Sequence, residues 1–320
     1  MYKIKQSLDA VNYGAYFYEG PALTMEEIVQ RAADFGYDAV DIWPYRPVGN
    51  PIDFSKDARK KLLDFAKARS IKFASIDLSS NFMRTDHALV PKLDKELLYV
   101  KECCEFAKDL EIPVIRVLPA FIGYFYHDFW DKGYGNTAMH SRTLEVSQLK
   151  DYLVEWEAVR SGIIEAAKIA ADYDVELAVQ GHPPIINCVQ DMIDMVEEIN
   201  LPNVKMGVDL PLFDSQDADY IHEMITKIGK RMIHSHTLGV IVKHGPSGMV
   251  YASEEVVPGD GIENWLPFFQ ACKEIGYEGY FAYEQCAPFL MPGHKLPTIE
   301  EIDRRQRVGF NFIKSFEDKI

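Results

Sequence analysis

Four polar residues close otherwise apolar runs in the second half of the chain: Gln180 in VELAVQ, Asp209 in VKMGVD, His236 in RMIHSH and Glu284 in GYFAYE. A short apolar run ending in an amide, a carboxylate or an imidazole reads as a buried strand that delivers a ligand where the chain turns. Mixed oxygen and nitrogen donors suit a divalent cation of the Mn²⁺, Co²⁺, Fe²⁺ or Mg²⁺ type, and thiolate-bound zinc less. Manganese leads this expectation, with Co, Mg, Fe and Zn as alternatives. A cation held there could grip a carbonyl and its neighbouring hydroxyl. That lowers the cost of an enediolate when a base, here Glu284, removes the adjacent proton.

The elements that must position these residues recur along the chain. Each unit is an amphipathic helix, a Gly or short polar break, then a short apolar strand. TMEEIVQRAADFGYDAVDIW shows it first, with a capping box from Thr24 to Glu27 and Gly36 as the stop. It recurs as LLDFAKARSIKFASID, CCEFAKDLEIPVIRVLP, IIEAAKIAADYDVELAVQ, MIDMVEEINLPNVKMGVD, MITKIGKRMIHSHT and FFQACKEIGYEGYFAYE, after an initial strand KIKQS. Strands without polar alternation, separated by helices, predict a parallel sheet covered on both faces. The strand count, the even spacing and the lack of a GxGxxG turn favour a closed (β/α)₈ TIM barrel over an open sheet. The expectation is one α/β domain over 1–320. Catalytic groups then gather at the C-terminal strand ends, which share one face. Segment 119–148, rich in aromatics and Gly, reads as a long loop after strand 4 serving as lid or partner surface. KHGPSGMVYASEEVVPGDG reads as a smaller loop, and the helix near 299–316 closes the barrel.

Composition narrows the partners. A net charge of −15 disfavours nucleic acid. No apolar run reaches membrane-spanning length, and MYKIKQSLDA lacks a signal peptide's apolar core. The five cysteines, at 103, 104, 188, 272 and 286, are scattered with no CxxC spacing, which fits a reduced cytoplasm.

These residues resemble the xylose-isomerase-like TIM barrels, which include sugar isomerases and epimerases and the AP-endonuclease type. The resemblance spans nearly the whole chain. It rests on AVQGHPP, GVDLPLF, IHSHTLG and VPGDGIENW followed by GYEGYFAYE. It implies a small-molecule sugar or glycoside substrate and puts the family's four metal positions on Gln180, Asp209, His236 and Glu284. Two departures stand out. Gln180 replaces the usual Glu and cannot remove a proton, so two-carboxylate epimerisation loses one base. The DxxH pattern reads Asp209, Leu210, Pro211, Leu212. A replacement base could be His140 in the aromatic loop. A non-carboxylate base resembles the branch that eliminates the aglycone from 3-oxo-glycosides, including C-glycoside deglycosidases, which work with a small second subunit. An oligomer is expected in either case.

Each singled-out residue has a plainer reading. Trp43, with Phe121 and Tyr124, forms a sugar-stacking wall or core. His182 binds a substrate hydroxyl or ties down the loop shaped by Pro183 and Pro184. His234 contacts substrate, supports a ligand or packs. Arg116 sits inside VIRVLP, unusual in a strand, and either binds substrate or makes a structural ion pair. Cys286 reads as a small buried residue. A repair nuclease would need ligands for three metals and a basic groove; a non-catalytic barrel would use the aromatic loop as an interface.

Overall fold

The first helix shows how the sequence sets its own boundaries. Thr24 Oγ1 accepts from the Glu27 N–H at 3.3 Å, and the Glu27 carboxylate accepts from the Thr24 N–H at 2.8 Å. Two of the helix's unpaired donors are thereby satisfied. Met25, Ile28, Val29 and Ala32 form the buried stripe, and Gly36 ends the helix at φ +91°, where a Cβ would be strained.

The computed structural model describes residues 2–83, 92–121, 152–182, 185–244, 250–285, 289, 291–293 and 295–320. Its strands are β1 Gln6–Asp9, β2 Ala39–Ile42, β3 Lys72–Ser79, β4 Val114–Leu118, β5 Glu176–Gln180, β6 Val204–Gly207, β7 Met232–Thr237, β8 Gly239–His244, β9 Val250–Val256 and β10 Phe281–Tyr283. The helices are α1 Met25–Phe35, α2 Lys56–Lys67, α3 Lys92–Asp109, α4 Tyr152–Ala171, α5 Val189–Ile199, α6 Ala218–Ile228, α7 Trp265–Glu274 and α8 Ile299–Lys314. Strands β1 to β7 and β10 close into a parallel barrel, in the order β1-β10-β7-β6-β5-β4-β3-β2. The (β/α)₈ TIM barrel expected from the repeats is the architecture found.

The barrel closes where β1 meets β10, with Gln6 opposite Phe281 and Leu8 opposite Tyr283. Helix α8 clasps this seam: the Phe310 and Gln306 carbonyls accept from Gln6 Nε2 at 3.2 Å and from Tyr37 Oη at 3.0 Å.

Strand alternation divides each strand between two environments. Leu8, Val40, Ile76, Ile115 and Leu177 belong to the apolar core with the helices. The intervening positions carry Ser7, Asp9, Asp41, Ser75, Asp77, Arg116 and Gln180, all buried, so the barrel interior is polar and charged.

Two expectations change. KHGPSGMVYASEEVVPGDG is not simply a loop: β8 and β9 form an antiparallel hairpin pairing Gly239 with Val256 and His244 with Val250. Strand β6 stops at Gly207, not at 209, because its register with β7 shifts between Met206 and Gly207. Most of the expected aromatic loop, 122–148, lies outside the described residues.

Candidate metal centre

Asp209 follows β6 by two residues and begins the short 3₁₀ turn Leu210–Leu212. Its carboxylate does not cap that turn. Oδ1 accepts from the backbone N–H of His236 at 2.8 Å, and Oδ2 accepts from Gln180 Nε2. The imidazole of His236 closes the set, with Nδ1 3.4 Å from Asp209 Oδ2 and 3.2 Å from Glu284 Oε2. Four residues from β5, β6, β7 and β10 thus meet at one end of the barrel, where Glu284 directly follows β10.

Two atoms of this group have no hydrogen-bond partner although buried: Gln180 Oε1 and His236 Nδ1. Both are lone-pair donors when the imidazole is neutral. Donors sharing an ion at about 2.1 Å sit roughly 3.0–3.4 Å apart, which the contacts around His236 Nδ1 approach. The residues present therefore fit a divalent cation. Behind the ring, His236 Nε2 faces Asp77 Oδ2 at 3.3 Å. A carboxylate on the far nitrogen of a ligating histidine fixes its orientation and raises its basicity.

The lower part of the interior was not anticipated. Asp9, Asp41 and Asp77, on β1, β2 and β3, are wholly buried. Asp41 accepts from Ser7 Oγ at 2.9 Å and Asp77 from Ser75 Oγ at 2.8 Å. His234 Nε2 stands 3.6 Å from both Asp41 Oδ2 and Asp77 Oδ1. Asp41, Asp77, His234 and His236 offer ligand atoms within 4.8 Å of one another, as do Asp9, His236 and Glu284, so these buried groups could hold a divalent metal. The sequence signal was present: a lone acid inside each of the apolar runs SLDA, AVDIW and FASIDLS.

The charges shift one another. Burial would lower the basicity of His236, but Glu284, Asp209 and Asp77 together raise its pKa well above the usual value. Burial would lift the Asp209 carboxyl, yet the charge and hydrogen bonds of His236 hold it below the ordinary range. Asp77 is likewise opposed by burial and held low by Arg116, then by His236 and His234. Asp9 is pushed well up by burial, with Asp77 and Glu284 adding to it. Asp41 is also raised, first by burial and next by Asp77, against the pull of His234.

Among the remaining expected residues, Arg116 is 1% exposed. Its Nη2 donates to Glu284 Oε1 at 3.2 Å, and its Nε is 3.6 Å from Asp77 Oδ1. The guanidinium is thus engaged in a buried ion-pair network. Its stem runs beside Gly207, where a Cβ would lie 3.7 Å from Arg116 Cγ. His234 lies within the barrel, 4.6 Å from His236 between ring centroids. Half-buried Trp43 follows β2, packs on Tyr45 at 4.8 Å and carries a buried Nε1 without an acceptor. His182 follows β5 and meets the Phe121 ring edge-on at 5.5 Å. His140, Tyr124 and Cys286 lie outside the described residues.

A closed parallel barrel whose C-terminal strand ends carry a buried carboxylate, amide and imidazole group is a (β/α)₈ barrel with a candidate metal centre. Residues 29–306 match the family model described as xylose isomerase-like TIM barrel, and the chain belongs to that family. It is 23% identical over 301 residues to a D-psicose 3-epimerase of Enterocloster bolteae, covering 90% of this chain and 86% of that protein. An inosose dehydratase of Geobacillus kaustophilus is 24% identical over 283 residues, covering 83% and 81%. The crystal structure of IOLI protein with a binding zinc atom superposes with a TM-score of 0.69 at 16% identity, covering 98% of each chain. No helix among the described residues is long and apolar enough to cross a membrane.

Proposed function

We propose that the chain is a divalent-metal-dependent enzyme that enolises a carbonyl-bearing sugar, as isomerases and epimerases of this family type do. The observation that carries the reading is His236 Nδ1, unpartnered and facing the carboxylates of Asp209 and Glu284, with Gln180 Oε1 likewise buried and unpartnered. A divalent cation held by Gln180, Asp209, His236 and Glu284, manganese first, supplies polarisation of the substrate carbonyl when bound. Asp209, held ionised, keeps Gln180 Nε2 occupied and leaves the amide oxygen as its free lone-pair atom. Arg116 grips Glu284 Oε1 and leaves Oε2 as the atom that takes the proton adjacent to the carbonyl. Trp43, just past β2 and with its free indole N–H, and His182, just past β5, serve to receive the sugar ring and its hydroxyls. His234 and Arg116 serve the substrate from beneath by fixing carboxylates.

A second reading is elimination of the aglycone from 3-oxo-glycosides. Gln180 favours it: an amide committed to Asp209 moves no proton, so proton transfer from a single carboxylate suits loss of a leaving group. His140 is the added base in that reading. The dehydratase relative at 24% identity agrees with elimination as a chemistry of such chains. The proposed setting is the cytoplasm, as an oligomer, with a small second subunit in the eliminating case.

Incubating the manganese-loaded protein with ketohexoses in deuterated water separates these readings. Deuterium at the carbon beside the carbonyl supports isomerisation or epimerisation, and aglycone release from a 3-oxo-glycoside supports elimination. Absence of both, with the metal bound, sinks the enolisation reading.

A further inference from the structure

The interior below the metal centre holds more negative charge than that centre needs. Asp9, Asp41, Asp77, Asp209 and Glu284 are all buried, opposed among the described residues by the guanidinium of Arg116 and the imidazoles of His234 and His236. With all five acids ionised, both imidazoles neutral and one divalent ion at the strand ends, this interior keeps two negative charges in excess. Burying such a surplus costs several kcal/mol per ion unless it is compensated.

We propose that the barrel binds a second divalent cation, held by Asp41, Asp77 and His234, one layer below the ion of Gln180, Asp209, His236 and Glu284. His234 carries the case. It is 2% exposed, and neither ring nitrogen has a hydrogen-bond partner. Its Nε2 points between Asp41 Oδ2 and Asp77 Oδ1, 3.6 Å from each. That is too long for a hydrogen bond but close to the roughly 3.4 Å edge of a tetrahedral set around one ion.

The carboxylates are also pre-oriented. Ser7 Oγ and Ser75 Oγ donate to the same two oxygens at 2.9 and 2.8 Å, so the acids are aimed by hydrogen bonds from behind. Asp41 Oδ1 has no partner at all and is available as a further ligand atom. Asp77 Oδ2 faces His236 Nε2 at 3.3 Å, so Asp77 would connect the two ions through one imidazole. Arg116 Nε also approaches Asp77 Oδ1, at 3.6 Å, and would share that oxygen. The donor set of two carboxylates and an imidazole, without thiolate, suits Mn²⁺, Fe²⁺, Co²⁺ or Zn²⁺.

The test counts ions in the whole chain. Protein stripped with chelator, loaded with Mn²⁺ and desalted should carry two equivalents by elemental analysis. Asp41→Asn and His234→Gln, each checked for folding by circular dichroism, should carry one. Asp209→Ala should also keep one, because it damages only the upper set. If these variants do not fold, anomalous diffraction at the manganese edge on the unaltered protein decides. A peak among Asp41, Asp77 and His234 upholds the site. Saturation at one equivalent, no such peak, or an unchanged count in Asp41→Asn overturns it and leaves the interior neutralised by protons.

Discussion

Replacing Arg116 by Met removes the only guanidinium of the interior among the described residues while keeping most of the stem's volume beside Ala178 and Gly207. At an effective dielectric of about 20, a unit charge at 3.2 Å from Glu284 and 3.6 Å from Asp77 gains about 5 kcal/mol from each. Most of that gross attraction is offset in the native protein by desolvation of the guanidinium, which the Met side chain never incurs. What remains is the cost of leaving buried carboxylates uncompensated, about 3–5 kcal/mol. Urea unfolding of the chelator-treated protein measures it directly, as a lower midpoint at unchanged slope. Arg116→Lys should lose less, because it keeps the charge and forfeits only the fork geometry. Saturating Mn²⁺ should narrow the deficit of Arg116→Met, since bound positive charge replaces part of what was deleted. A loss below about 1 kcal/mol in the metal-free protein would refute the reasoning, because those acids would then need no cation.

Glu263 gives a pH test away from the barrel interior: it accepts from the Val240 N–H at 2.7 Å, and burial lifts its pKa to about 7 from 4.5. Below pH 4.5 it is protonated in both states and costs nothing; between 4.5 and 7 only the unfolded chain ionises; above 7 the full penalty persists. Glu263→Gln should therefore be more stable than the parent by about 1–3 kcal/mol at pH 8 and equal to it at pH 4.5, and a pH-independent difference would contradict this. Gln180→Glu restores a carboxylate but exchanges a hydrogen bond to Asp209 for like-charge repulsion, costing the metal-free protein roughly 2–4 kcal/mol. Its melting temperature should consequently rise more than the parent's on adding Mn²⁺, as read by calorimetry. Chelation of the parent itself should remove about 2.7 kcal/mol of stability relative to metal at one hundred times Kd. A chelator-insensitive melt would speak against any resident ion.

The meeting of Gln180, Asp209, His236 and Glu284 could be read from the chain because each ends an apolar run, where burial and a polar side chain conflict unless a site resolves them. The barrel was legible for a similar reason, since helix caps such as Thr24 with Glu27 and the Gly36 stop are local chemistry. Asp41 and Asp77 were missed because attention to strand ends passes over residues inside strands, and Asp9 because it ends a first strand expected to stop at KIKQS. Asp41 and Asp77 each sit between apolar neighbours, a pattern that alternation makes meaningful only once a polar lumen is known. The hairpin after β7 was missed although GPSG between two apolar-containing runs is a turn signal. The register shift that moves Asp209 beyond β6 depends on pairing with β7, where the Val208 N–H donates to the His234 carbonyl at 2.9 Å. No local spacing encodes such a partner.

The seam between β1 and β10 also sets a schedule for biosynthesis. Leu8 finds its partner in Tyr283, so the first strand emerges from the ribosome long before its neighbour is translated. Until Phe281–Tyr283 have appeared, one flank of β1 lacks its ladder and Asp9 lacks the company of Glu284. A nascent chain must therefore shelter that flank by other means, and any ion capture that depends on Glu284 would be a late event in the life of each molecule.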